Sequence, residues 1–261
     1  QASEAVNLDL KKLCFEENDL LDKTEYTQVA MVTACLAMTR AVESMGLHAD
    51  MTAGLSLGEY CAIAVAGGMC DLDAIRTVRS RGIFMEHAAP EGSGAMSAVL
   101  GMDAAVIEDV LNGREGVSIA NYNCPGQLVI SGSNEAIDAA CAKLTEAGAK
   151  RALKLNVGGA FHSPLMEPAR VELEAAIKAA PFAEPVCPVY QNVDAKPYTD
   201  PAKIQANLIA QLTSPVRWTQ IVQNMIADGA TQFTELGPGS VLQGLIKKVD
   251  RAAVCESKQT L

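Results

Sequence analysis

The run Asp50-Met-Thr-Ala53-Gly54-Leu55-Ser56-Leu57-Gly58-Glu59-Tyr60-Cys-Ala-Ile-Ala-Val-Ala66 decides the fold class. It opens with a short extended piece at 50–53. It then turns through G-x-S-x-G at 54–58 and continues as an apolar helical run that Gly67-Gly68 stops. A serine between two glycines at a strand-to-helix junction reads as a nucleophile elbow. The glycines let the backbone pass close to its neighbours, and the helix N-terminus offers free amides. The rival reading is an ordinary glycine-flanked turn.

Working outward, residues 26–45 are apolar nearly all round and read as a buried helix ending at Gly46. Downstream, a helix is predicted over 72–87 with Asp71 as its cap, followed by a loop at 90–94. The stretch 95–157 has its own rhythm. Strands are predicted at 95–101, 117–121, 127–131 and 150–157, with helices at 103–111 and from Ser133 or Asn134 to Ala147. Asn123-Cys124-Pro125-Gly126 supplies the hairpin turn. That order is β-α-β-β-α-β, a split ferredoxin-like unit inserted into a larger α/β body. The expected organisation is therefore a discontinuous large domain, 1–94 with 158–261, and a small domain, 95–157. Beyond it, Phe161-His162-Ser163-Pro164 opens a helix to Ala180. A strand at 186–192, helices at 202–212 and 216–228, and a strand at 231–236 follow. Gly237-Pro238-Gly239 then turns into a last helix.

Composition agrees with helices on a parallel sheet. Of 261 residues, 49% are hydrophobic and only 4% aromatic. With 31 acidic against 21 basic side chains the formal charge is −10, which argues against a nucleic-acid partner needing a basic face. No apolar run approaches the roughly 18 residues of a membrane span, so the chain reads as soluble. Eight cysteines lie scattered without a C-x-x-C pair or zinc spacing, and nothing at the amino end resembles a signal peptide. Reduced thiols in a cytoplasmic protein are the expectation.

A serine hydroxyl needs a base. Of the three histidines, His48 falls in a connector and His87 at a helix end. His162 stands in a loop before a helix, where a scaffold can present a base; a structural histidine is the alternative. The amide of Leu57, next after the serine, is placed to stabilise an oxyanion. Arg76, Arg79 and Arg81 cluster, and on spacing alone they read as a surface set.

Five ordered motifs carry a resemblance over essentially the whole chain. They are Gly54-Leu-Ser56-Leu-Gly-Glu-Tyr60, Arg81-Gly82 with Met85, Asn123-Cys-Pro-Gly-Gln127-Leu-Val-Ile-Ser-Gly132, Phe161-His162-Ser-Pro-Leu-Met166 and Glu235-Leu-Gly-Pro-Gly239. Together they resemble the malonyl-CoA:acyl carrier protein transacylases, acyltransferases of fatty acid and polyketide synthesis. That family pairs an α/β-hydrolase-like large domain with an inserted ferredoxin-like small domain. The resemblance implies that Ser56 is acylated and that His162 is its base. A backbone carbonyl at Gln211 would orient the histidine, and Arg81 would grip the malonyl carboxylate. A guanidinium suits that task, being planar, bidentate and permanently charged. Asn123 matches a family active-site asparagine, with a turn asparagine as its rival. Phe161 matches the pattern of malonyl-selective members. Leu55 stands where many members carry histidine.

The implied reaction is ping-pong transfer of malonyl from coenzyme A to the phosphopantetheine thiol of acyl carrier protein. Malonyl-CoA is the substrate, and no metal or redox cofactor is implied. An acidic carrier would need a local basic patch, for which Lys150, Arg151, Lys154, Lys247, Lys248 and Arg251 are candidates. The family opens with a strand and a Gly-Gln-Gly-type loop carrying a second oxyanion amide, and residues 1–25 do not resemble it. The chain therefore reads as a truncation. Two rivals remain: a serine esterase or thioesterase on the same elbow, and a catalytically impaired fragment that still binds a carrier.

Overall fold

The computed structural model describes residues 1–89 and 94–259; of the loop expected at 90–94, only Gly94 is among them. The strand Thr52–Ala53 leads into the elbow and runs parallel to Val189–Tyr190, which pairs antiparallel with Pro197–Tyr198. A second parallel pair joins Gln232–Leu236 to Val254–Lys258. The parallel sheet is thus present as short pieces. The strand expected over 186–192 shrinks to two residues because its flanking backbone is committed elsewhere. Val186 N–H donates to the Ala66 carbonyl, Pro188 has no N–H, and Asn192 N–H donates to the Glu59 carboxylate.

Helices cover these strands. Thr24–Ser44 packs along Asp71–Ala88, and Glu167–Ala179 and Pro201–Ala210 close the same core around Val29, Ile63, Val78, Leu173 and Ile204. Each such side chain, taken wholly out of water, contributes roughly 1.5–3 kcal/mol. The close helix approach depends on Gly82, where a Cβ would lie 2.8 Å from the Glu25 Cα. The cap of Asp71–Ala88 is Cys70 and not Asp71. The Cys70 sulfur accepts from the Asp73 N–H, while the Asp71 carboxylate is drawn to Arg40 at 2.7 Å. The amino end, without a reading in the sequence, folds as helices Ala2–Val6 and Leu10–Phe15, with Leu10 and Leu13 buried.

The β-α-β-β-α-β unit is present. Ala95–Leu100, Val117–Cys124, Gln127–Gly132 and Arg151–Lys154 form one antiparallel sheet. The first and last strands are neighbours at one side and the hairpin lies at the other, the order of a ferredoxin-like sheet. Helices Ala104–Leu111 and Asn134–Glu146 pack on it around Val99, Ile107, Ile130, Ile137 and Leu144. The strand Val117–Cys124 reaches past the predicted 117–121 and is irregular after Ile119 and after Tyr122. At the irregularity it leaves its own sheet. Val216 N–H donates to Ala120, Tyr122 N–H donates to Val216, and the Thr219 hydroxyl donates to Tyr122. This bulge welds the small sheet to the segment that follows Gln211. Among the described residues no helix is long and apolar enough to cross a membrane.

Candidate active site

The elbow forms because Gly54 and Gly58 can touch. A Cβ on Gly54 would lie 2.0 Å from the Gly58 carbonyl carbon, a space no side chain can occupy. The tight turn drives Ser56 into the left-handed region, φ 51°, rare for a residue with a Cβ. The helix Gly58–Val65 follows at once, and its first amides, Gly58 and Glu59, donate back to Leu55 and Ser56. The Leu57 amide thus stands at a helix start, where partial positive charge accumulates.

His162 comes to the serine from 106 positions downstream, with Nε2 2.7 Å from Ser56 Oγ. It too is left-handed, φ 56°, and 4% exposed. The Ser163 hydroxyl, donating to the Ala160 carbonyl at 2.7 Å and accepting from Leu165 N–H, fixes the loop. On its other side, His162 Nδ1 lies 3.0 Å from the Gln211 carbonyl oxygen. A carbonyl can only accept, so Nδ1 carries the proton and Nε2 is left to accept from the Ser56 hydroxyl. Burial, then the charge of Arg81, push the imidazole down to about 4, outweighing the bonds from Gln211 and Ser214 that raise it. The ring is therefore neutral at physiological pH and ready to take a proton.

Arg81 is not a surface arginine. It is 2% exposed, on the helix that Gly82 draws against Thr24–Ser44. Nη1 donates to Gln28 Oε1 at 2.5 Å, and Nη2 reaches Ser56 Oγ at 3.2 Å and Gln211 Oε1 at 3.4 Å. Among the described residues its Nε–H makes no hydrogen bond. Gln211 ties the groups together: its carbonyl accepts from His162, its Nε2 donates to the Ser56 carbonyl at 2.9 Å, and its Oε1 faces Arg81. A neutral base on a serine, with a permanent cation beside the same oxygen, can attack an acyl group that carries its own negative charge.

Comparison with known proteins decides the family. The profile described as "Acyl transferase domain" matches residues 4–259. The chain belongs to the acyl transferase domain family. Among curated acyl transferases it is 44% identical over 256 residues to the malonyl CoA-acyl carrier protein transacylase of Bacillus subtilis, covering 96% of this chain and 81% of that one. It is 43% identical over 255 residues to the Escherichia coli K12 transacylase of the same name, covering 95% and 82%. Among solved structures, MCAT from Streptococcus pneumoniae superposes with a TM-score of 0.96 at 39% identity, over 100% of this chain and 86% of that one. A malonyl-transacylase in complex with a type II PKS acyl-carrier protein gives 0.94 at 38% identity, covering 100% and 86%.

Within this acyl transferase fold, Ser56, His162, Arg81 and Gln211 meet in one place. Phe161, partly buried, packs beside them against Met96, Ala120 and Val129 of the small sheet. Leu55 packs the other way, into the core around Tyr190 and Trp218. Asn123 makes no hydrogen bond to Ser56, His162 or Arg81, and its buried Oδ1 has no partner among the described residues. Three buried polar residues joined to the site, Gln28, Glu59 and Asn192, carry no role in the sequence reading. Glu59 had a visible signal, since it is the charged side chain in an otherwise apolar helical run.

Proposed function

We propose that this chain transfers a malonyl group from malonyl-CoA to the phosphopantetheine thiol of an acyl carrier protein, through an acyl ester on Ser56. The observation that carries the reading is a buried guanidinium 3.2 Å from the nucleophilic oxygen, where an esterase of uncharged substrates has no use for a cation. His162 Nε2 takes the proton as Ser56 Oγ bonds to the thioester carbon. The Leu57 N–H stabilises the oxyanion, and the thiol of coenzyme A leaves with the proton from His162. Arg81 holds the malonyl carboxylate throughout. The carrier thiol then gives its proton to the same nitrogen, attacks the ester and regenerates Ser56. One thioester replaces another, so the yield depends on keeping water from the acyl-serine.

In this reading Gln211 orients the base through its carbonyl. Phe161 and Asn123 shape the acyl pocket, while Leu55, expected to line it, supports the elbow from the core side. The large domain is 1–94 with 158–261 and the small domain is 95–157, with the acyl chain lying between them. The enzyme works in the cytoplasm with its eight cysteines free. Of the basic residues expected to meet the carrier, Lys154 is paired with Asp138 at 2.7 Å, Lys248 donates to Gln127 and Lys247 to the Ala253 carbonyl. Lys150, Arg151 and Arg251 remain exposed. The test is transfer from malonyl-CoA to a holo-acyl carrier protein while both concentrations are varied. Parallel double-reciprocal lines, and no transfer by Ser56→Ala, are expected. Hydrolysis of neutral p-nitrophenyl esters that ignores Arg81→Ala would instead make the protein an esterase.

A further inference from the structure

Three backbone groups of the elbow are gripped by side chains from outside it. Asn192 Nδ2 donates to the Gly54 carbonyl at 2.8 Å, and the Ser56 N–H donates to Asn192 Oδ1 at 2.6 Å. Gln211 Nε2 takes the Ser56 carbonyl. Asn192 is itself fixed, since its N–H donates to Glu59 Oε2 at 2.8 Å and its carbonyl accepts from the Arg217 N–H at 3.1 Å. The neighbouring Gln191 Nε2 donates to Glu59 Oε1 at 3.1 Å. Glu59 and Asn192 are both 0% exposed. A buried carboxylate without an ion-pair partner is costly to keep, and an apolar residue would serve packing better at this place.

We propose that Glu59 and Asn192 are positioning residues for the nucleophile. The Glu59 carboxylate fixes Asn192, and the Asn192 carboxamide spans the elbow and holds Ser56 in the left-handed turn from which Oγ meets His162. The same bond occupies the Ser56 N–H, so the oxyanion donor at the elbow is the amide of Leu57. This rests on Ser56 being the acyl-accepting nucleophile. A left-handed residue with a Cβ is strained and persists only where its surroundings over-determine it. Here two carboxamides do so.

Glu59 also gives the arrangement a pH signature. Burial pushes its carboxyl up to about 7, against the lowering by its bonds to Asn192, Gln211 and Gln191 and by the charge of Arg81. The charged and titratable groups facing it are Arg81 and the Tyr60 hydroxyl. The Asn192 and Gln191 N–H groups each bond a different oxygen of Glu59, and only the ionised carboxylate offers both oxygens as full acceptors. Serine reactivity should therefore rise with pH through about 7.

The test uses Asn192→Ala, Asn192→Asp and Glu59→Gln, with folding checked by circular dichroism. Ser56 reactivity is read with a fluorophosphonate probe. Ser56 Oγ bonds to phosphorus, fluoride leaves and the proton passes to His162, with no need for malonyl recognition. In parallel, kcat and KM are measured with malonyl-CoA. Asn192→Ala should slow both labelling and kcat by about 10²-fold, as small misplacements of reacting groups do, with KM within about twofold. Asn192→Asp keeps the acceptor for Ser56 N–H but loses the donor to Gly54, and should fall between. Glu59→Gln should lose the rise through about pH 7 that the parent shows. Parent-like labelling by folded Asn192 variants, or an unchanged pH profile in Glu59→Gln, would overturn the proposal. If Asn192→Ala does not fold, the other two variants decide by the same criteria. If the probe labels the parent at Ser56 while malonyl-CoA leaves it unmodified, the substrate reading fails and the positioning claim is still judged by the probe.

Discussion

Arg81 sets Nη1 on Gln28 and Nη2 between Gln211 and the Ser56 oxygen, with its guanidinium carbon 5.7 Å from the centre of the Tyr60 ring. A substrate carboxylate is the partner that the proposed function gives this buried guanidinium beside the nucleophilic oxygen. Removing Arg81 should lower kcat/KM for malonyl-CoA by about 10²- to 10³-fold, in the range of lost buried charge pairs. Acetyl-CoA, whose acyl group has no free carboxylate, should change far less. Steady-state rates with the two thioesters check this, and an equal loss on both would contradict the role of Arg81. Gln211→Ala separates two functions of one residue. It keeps the carbonyl that orients His162 and loses the side chain that bonds Ser56 and faces Arg81, so a fall of about tenfold is expected, one ordinary hydrogen bond's worth. A fall as deep as that of His162→Ala would place the main role in the side chain. At this scale the sequence was readable where chemistry depends on residue type in a local pattern, as at Ser56 and His162. It was silent where a side chain acts by contact across the fold. Asn192 meets Ser56 across 136 positions and Gln28 meets Arg81 across 53, and no local pattern announces either.

Elements bring those residues together, and Gly82 sets the approach of two of them. Gly82→Ala would press a methyl group to 2.8 Å from the Glu25 Cα, backbone that cannot swing aside. Overpacking of this kind costs typically about 1–3 kcal/mol. Because the same helix pair holds Arg81 to Gln28, the variant should melt lower and also show a raised KM for malonyl-CoA. Thermal melting with steady-state kinetics reads both, and a lower melting point with an unchanged KM would separate packing from the site. The small sheet was legible because alternation and turn residues are local signals that need no partner. Asn123-Cys124-Pro125-Gly126 marked the hairpin, although the strand continues through Cys124 and the turn is only Pro125-Gly126. The large sheet was less legible. Its strands are two to five residues long, Thr52–Ala53 lies far along the chain from its parallel partner Val189–Tyr190, and Val254–Lys258, with Glu256 and Lys258 among its five residues, offered no recognisable pattern. Asp71 was misread as a cap because cap preference is a property of residue type, while its carboxylate is claimed by Arg40 from another helix.

For the whole molecule, the two buried titratable groups of the site pull stability in opposite directions with pH. His162 binds its proton at about 4 in the fold against an ordinary value of 6.5. As pH falls through that window the unfolded chain takes up a proton the fold refuses, and stability drops. Glu59 binds its proton at about 7 against 4.5, so the fold is protonated first and stability rises as pH falls across that window. The two trends largely offset each other in the parent. Glu59→Gln removes only the second, so its melting temperature should fall more steeply than the parent's between about pH 7 and about pH 5. Parallel curves would show that Glu59 does not titrate in this range. The central claim is that all these parts serve one event, the acylation of Ser56 by a donor that Arg81 recognises. Its most direct measurement is intact-mass spectrometry of the chain after incubation with malonyl-CoA, beside Ser56→Ala and Arg81→Ala. The account predicts a single malonyl adduct on the parent that maps to Ser56, none on the serine variant and a much slower one on the arginine variant. An adduct that persists in Ser56→Ala, or a folded parent that stays unmodified, would contradict it.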